Sequence, residues 1–281
     1  MKIISHIDEF IDYRKIIDNQ TIGFVPTMGA LHDGHLSLVN SSNEQCDITI
    51  VSIFVNPTQF SIDEDLETYP QNIEQDKKLL DKYNVDVLFV PNKSAMYDNE
   101  FSTFISEKHI SKYNEGKSRP LFFSGVLTIV SKLFNIIEPS HAFFGMKDAQ
   151  QLIIVKKMIK DLNYNIKIIE CPTIRERNGL AMSSRNQYLS EAQKNSASII
   201  YKSLIHATKM IDSGEVSVKN IKQSIKDFLG DKNIKIDYIS IVNQNSFQTL
   251  NRVNGNIIIL IAVFINNVRL IDNIYYSQSS K

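Results

Sequence analysis

His32 and His35 stand three apart in the segment Pro26-Thr-Met-Gly-Ala-Leu-His-Asp-Gly-His35. In a turn or a helix that spacing turns both imidazoles to one side. There they could donate hydrogen bonds to a nucleoside triphosphate whose α-phosphate gathers charge in a transition state. Gly29 and Gly34 let backbone approach such a ligand, and a helix opening after them would favour phosphate at its N-terminus. The spacing also fits a polar loop with incidental histidines, or two metal ligands with no third nearby. Three further segments carry chemistry of the same kind. In Phe54 to Phe60, the neutral amides of Asn56 and Gln59 suit a small polar substrate, although Asn-Pro is equally a turn starter. In Phe144 to Gln151, Lys147 stands just ahead of a predicted helix and would complete a phosphate clamp. Asp148 and Gln151 fit a D-x-x-Q capping box as well as Gln151 fits a ligand contact. In Met182 to Asn186, the hydroxyls of Ser183 and Ser184 and the guanidinium of Arg185 suit triphosphate oxygens. Taken alone, that stretch also reads as a solvated linker.

The elements that must position these residues alternate. Strands are expected at Ile22–Val25, ending at Pro26, and at Ile48–Val55, Val85–Val90, Ala142–Phe144 and Ile166–Glu170. Helices are expected at 36–43, 72–83, 125–137 and 149–162, the third carrying an apolar stripe through Val126, Ile129, Val130, Leu133, Phe134 and Ile137. This rhythm means parallel pairing with right-handed crossovers, hence an α/β, Rossmann-like doubly wound sheet. In such sheets ligands bind beyond the carboxyl ends of the strands, and all four segments sit at or after such ends. After Pro172 the pattern changes. Ser190 with Gln193 starts a long helix running to about Ser213, a second covers Val218 to Leu229, and strands follow at Ile236–Val242, Ile257–Ile265 and Val268–Asp272. Asn266-Asn267 marks a hairpin turn between the last two. The reading is a smaller C-terminal α+β lid domain, with domains over 1–175 and 176–281.

Across 281 residues, 31 Lys+Arg balance 31 Asp+Glu, and 43% of the chain is hydrophobic. That composition supports a large core and argues against disorder and against a broad polyanion-binding surface, so no nucleic-acid partner is expected. Cys46 and Cys171 stand in no metal or redox spacing and read as buried filler. The first residues lack the pattern of a secretory signal, and the apolar run Ile257 to Ile265 is too short to span a bilayer. A cytoplasmic protein with no membrane partner is expected.

Together the blocks PTMGALHDGH (Pro26–His35), VSIFVNPTQF (Val51–Phe60), RPLFFSGV (Arg119–Val126), FFGMKDAQQ (Phe143–Gln151), GLAMSSRN (Gly179–Asn186) and RLIDN (Arg269–Asn273) resemble the pantothenate synthetase (pantoate–β-alanine ligase) family, in order and over nearly the whole chain. Within its superfamily, His32 to His35 is similar to the HIGH motif and Met182 to Arg185 to the KMSKS loop. The resemblance implies ATP-dependent condensation of pantoate with β-alanine through a pantoyl adenylate, giving pantothenate, AMP and pyrophosphate. It implies an ATP site from Met28, Gly29, Ala30, Leu31, His32, Asp33, Gly34 and His35, from Gly145, Met146, Lys147 and Asp148, from Ile174, and from Met182, Ser183, Ser184 and Arg185. His35, His32, Lys147 and Arg185 take the catalytic positions, and Gln59, Gln151, Asn56 and Arg119 those that bind pantoate or β-alanine, the two glutamines being the pantoate-binding pair. Mg²⁺ on the ATP phosphates and a homodimer are further expectations. The chain departs from the family at Phe122, where a histidine is usual, and at Met146. A nucleotidyltransferase that keeps the nucleotide on its product is a rival enzyme class, and a ligand-binding sensor a rival without catalysis.

Overall fold

The computed structural model describes residues 1–61, 64–230 and 234–278. The chain divides into two compact units, Met1–Met146 with Gln151–Pro172, and Lys147–Gln150 with Thr173–Lys281. Lys147–Gln150 group with the C-terminal residues, although they stand between β5 and the rest of α7 in the chain.

In the first unit the strands are β1 (Lys2–Ile4), β2 (Ile22–Thr27), β3 (Ile48–Ile53), β4 (Val87–Phe89), β5 (His141–Gly145) and β6 (Lys167–Cys171). They form one sheet in the order β1-β4-β3-β2-β5-β6, every pair parallel. Between them run α1 (Ile7–Ile16), α2 (Asp33–Gln45), α3 (Ile73–Asp81), the single turns α4 (Lys93–Met96) and α5 (Glu115–Ser118), α6 (Phe122–Ile137) and α7 (Ala149–Asp161). Period-two alternation sends successive strand residues to opposite faces. Phe24, Ile50, Val87, Ala142 and Phe144 join Phe10, Phe134 and Leu152 in one core. Val25, Val51, Leu88 and Phe143 join Leu36, Val39 and Leu80 in the other. Helices therefore cover both faces, as a doubly wound sheet requires.

β1 and α1 are absent from the sequence reading. β1 is a three-residue edge strand, and α1 buries only Phe10, so neither carries a strong periodic signal. β2 continues through Pro26 instead of stopping there. The Phe54 amide donates to the Thr27 carbonyl, so Thr27 faces β3 and Pro26 faces β5. β5 pairs only with Gly23 and Phe24, so the missing proline N–H lies beyond the ladder and breaks nothing.

In the second unit the helices are α8 (Glu191–Ala197), α9 (Ile199–Asp212) and α10 (Val218–Leu229). The strands β7 (Ile234–Asn243), β8 (Ile257–Ile265) and β9 (Val268–Tyr276) form an antiparallel sheet in that order. Ser190 and Gln193 make the reciprocal capping box expected of them. The helix they start is not continuous to Ser213. It breaks at Ser198, whose hydroxyl donates to the Asn195 carbonyl at 2.7 Å and competes with the helical ladder. α10 ends on Gly230 in left-handed conformation, and Asn266 (φ 51°) makes the tight turn between β8 and β9. Ile200, Leu204, Ile221, Ile225, Ile259 and Ile261 are among its core residues. Among the described residues no helix is long and apolar enough to cross a membrane.

Candidate active site

From β2 the sheet grows through β3 and β4 in one direction, and through β5 and β6 in the other. The ends of β2 and β5 therefore flank the topological switch point, where open α/β sheets bind ligands. The chain leaves β2 at Thr27 through Gly29 (φ 83°) and Ala30 (φ 50°). A side chain on Gly29 would come within 3.0 Å of Asp76 and 3.1 Å of Ile53. Asp76, on α3 and only 2% exposed, accepts hydrogen bonds from the Ala30 amide at 2.9 Å and the Leu31 amide at 2.8 Å. Those two bonds hold a left-handed turn that an alanine would otherwise resist. Burial pushes the Asp76 carboxyl above its usual range, and the two amides pull it partly back.

The turn delivers the chain to α2, where His32 is the N-cap. Its Nδ1 accepts from the Gly34 amide at 3.1 Å. In the neutral imidazole the proton then sits on Nε2, which makes that atom a donor. The His32 and His35 ring centroids lie 4.1 Å apart, so the two imidazoles do share one side. Both are half-buried at the helix N-terminus, while Asp33 is exposed. Among the described residues no three of His, Cys, Asp and Glu come together as a metal nest.

After β3, Asn56 caps the short turn Pro57–Gln59. Its amide nitrogen donates to Gln59 Oε1 and to the Gly125 carbonyl, each at 3.1 Å. Its Oδ1 accepts from the Thr58 hydroxyl at 3.0 Å and from the Tyr97 hydroxyl at 2.9 Å. Asn56, 1% exposed, is thus engaged by protein groups on both sides, and it fixes Gln59. Gln59 is buried as well, and its Nε2 points to the Met28 sulfur at 2.8 Å. The close approach of α6 depends on Gly125, whose absent side chain would lie 2.3 Å from the Thr58 carbonyl oxygen.

Arg119 is committed in a similar way. Its Nε and Nη2 bind the two oxygens of Glu64 at 2.5 and 2.7 Å, and Nη2 reaches the Gln59 carbonyl at 3.2 Å. The Phe122 ring lies 3.8 Å under the guanidinium. Phe122 thus replaces a hydrogen-bond donor with a flat face on which the arginine stacks.

The remaining segments divide between the units. β5 ends at Gly145, where a Cβ would meet nothing within 4 Å, and Met146 opens the turn that leads into α7. Gln151 is half-buried in the first turn of α7. In the second unit, Lys147 Nζ lies 3.8 Å from Asp148. The Ile174 carbonyl accepts from the Met182 amide at 3.0 Å, and Arg175 bridges Ala181, so the approach to the serine pair is a tight hairpin. Ser183 caps the turn Ser184–Tyr188 by accepting from the Arg185 amide at 3.3 Å. The Asn186 side chain donates to Glu176 at 2.9 Å and to the Ala181 carbonyl at 3.1 Å.

Sequence reasoning missed Asp76, Glu64 and Tyr97. Asp76 left a usable signal: it shares a helical face with Ile73 and Leu80, and a carboxylate on an apolar stripe needs partners.

The chain resembles known proteins over nearly its whole length. The Pantoate-beta-alanine ligase family model matches residues 2–275. A pantothenate synthetase of Thermosipho melanesiensis is 48% identical over 276 residues, covering 98% of this chain and 99% of that protein. The crystal structure of a pantothenate synthetase from Thermus thermophilus superposes with a TM-score of 0.93 at 36% identity, over 98% of this chain and 99% of that one. A pantoate-beta-alanine ligase from Francisella tularensis, solved with beta-gamma ATP and beta-alanine, superposes at 0.80 with 40% identity, over 98% and 97%. Matched by that family model from residue 2 to 275 and by these relatives over 98% of its length, the chain belongs to the pantoate–β-alanine ligase family, the enzymes that join pantoate to β-alanine as pantothenate.

Proposed function

We propose that catalysis proceeds in two steps through the residues assembled above. A pantoate carboxylate oxygen attacks the α-phosphorus of ATP, the bond to the bridging oxygen breaks, and pyrophosphate leaves. The β-alanine amine then attacks the acyl carbon of pantoyl adenylate, expelling AMP and releasing one proton. The observation that carries this reading is the imidazole pair at the start of α2, with His32 Nδ1 tied to the Gly34 amide so that Nε2 is a donor. His32 and His35 donate to the phosphates as charge builds there, alongside the amides of the helix N-terminus.

Met28 to His35, Gly145 to Asp148, Ile174 and Met182 to Arg185 bind ATP in this reading. Lys147 and Arg185 engage the phosphate oxygens, and Ser183 and Ser184 add hydroxyl donors. Gln59 and Gln151 hold pantoate without adding charge. Asn56 and Arg119 support Gln59 from behind, through its side-chain amide and its backbone carbonyl respectively. Mg²⁺ bound to the triphosphate would offset part of its charge. The enzyme works in the cytoplasm as a homodimer.

The test is pantoate-dependent ATP–pyrophosphate exchange. His35→Ala and Lys147→Ala should each lose about 100- to 1,000-fold, the usual loss for one preorganised donor. Wild-type rates in both would remove these residues from the mechanism. Formation of a nucleotide-bearing product in place of free AMP would favour the rival transferase.

A further inference from the structure

The closing block, Arg269 to Asn273, has no part in the chemistry described so far. It lies on β9, where Asp272 pairs with Ile261 and Asn273 with Leu260 of β8. Both residues are 4% exposed. Polar side chains so deep in a sheet need full hydrogen bonding, and the partners they have lead to two of the phosphate-binding segments.

Asp272 holds Arg175 by both oxygens, with Nη1 at 2.6 Å and Nη2 at 2.9 Å. The same guanidinium donates to the Gly179 carbonyl at 3.1 Å and lies 3.6 Å over the Tyr201 ring. Arg175 and Gly179 belong to the hairpin that delivers Met182 to Arg185, and Gly179 takes a left-handed φ of 97°. Asp272 therefore fixes the hairpin through its first residue and its turn. Asn273 acts on the other segment, its amide nitrogen donating to the Lys147 carbonyl at 2.6 Å. Asp272 also accepts from the Asn273 amide at 2.8 Å, which ties the pair together.

We propose that Asp272 and Asn273 are positioning residues for adenylation: Asn273 sets the backbone of Lys147, and Asp272, through Arg175, sets the hairpin leading to Ser183, Ser184 and Arg185. Both act through other residues of the chain. This rests on Lys147 and Arg185 being phosphate ligands. A lysine fixed at its carbonyl has fewer backbone positions from which its ammonium can miss the transition-state charge. Small misplacements of such groups are costly.

Asp272→Asn strips a half-buried guanidinium of its counter-charge and is as much a folding variant as a kinetic one. The test is therefore made on Asn273, as a double-mutant cycle with Lys147. Pantoate-dependent ATP–pyrophosphate exchange is measured for Asn273→Ala, Lys147→Ala and the double variant, together with the KM for β-alanine in the full reaction. Asn273→Ala should lower the exchange rate about tenfold or more at unchanged β-alanine KM. The double variant should be no slower than Lys147→Ala alone. Wild-type exchange in Asn273→Ala, or a double variant slowed by the product of the two single effects, overturns the proposal. Undiminished exchange in Lys147→Ala has a different meaning: it removes the phosphate role of Lys147 itself, and this proposal falls with that role.

Discussion

Asp76 shows how much a single side chain contributes to this site. Its two oxygens satisfy two buried amides of the turn that leads to the histidines. Asp76→Asn keeps the shape but replaces one acceptor with a donor, leaving a buried N–H unsatisfied at about 1–3 kcal/mol. Thermal unfolding should show a lower Tm, and exchange activity should fall with it. The pH dependence has a definite sign. The folded-state carboxyl titrates above its unfolded value because burial disfavours the anion. Its contribution to stability is therefore full below the unfolded value and lost as pH rises through the folded one. The Tm gap between the native chain and Asp76→Asn should narrow as pH rises above about 4, and a gap that widens would contradict the assignment. The types and spacing of His32, His35, Gln59 and Lys147 were legible in the sequence. The commitments of Asn56 and Arg119 to neighbouring protein groups were not, because Tyr97, Gly125 and Glu64 approach only across the fold. Nor could the sequence show that Phe122 would lie flat beneath Arg119.

At the scale of elements, the site depends on how closely α6 packs on the turn after β3. Gly125 allows that approach, since a methyl group there would overlap the Thr58 carbonyl and crowd the Gln59 amide at 2.6 Å. Gly125→Ala should leave the sheet intact and displace the Asn56–Gln59 turn. The pantoate KM should rise and the exchange rate fall, by up to about 100-fold if the shift nears 1 Å. Unchanged kinetics with pantoate would show that Gln59 is not held through this contact. The strands and helices that carry strong periodicity were legible to within a few residues, as β8 and α10 show. β1, α1 and the break at Ser198 were not, because an edge strand, a helix burying one residue and a local hydroxyl contact leave almost no pattern.

For the whole molecule, 31 basic residues balance 31 acidic ones, so net charge gives a triphosphate no general attraction. On the proposed reading the attraction comes from local groups: helix N-termini, two imidazoles, Lys147 and Arg185. The parallel, doubly wound class of the sheet was legible, because alternating strands and helices leave few topologies. The grouping of Lys147–Gln150 with the C-terminal unit was not, since it rests on contacts made from more than a hundred residues away, such as that of Asn273. The central claim is adenylation before amide formation. It is tested most directly by incubating the enzyme with ATP, labelled pyrophosphate and pantoate, with β-alanine omitted. The account predicts label entering ATP only when pantoate is present, and free AMP and pantothenate in equal amounts once β-alanine is added. Exchange without pantoate, or no exchange until β-alanine is added, would contradict it.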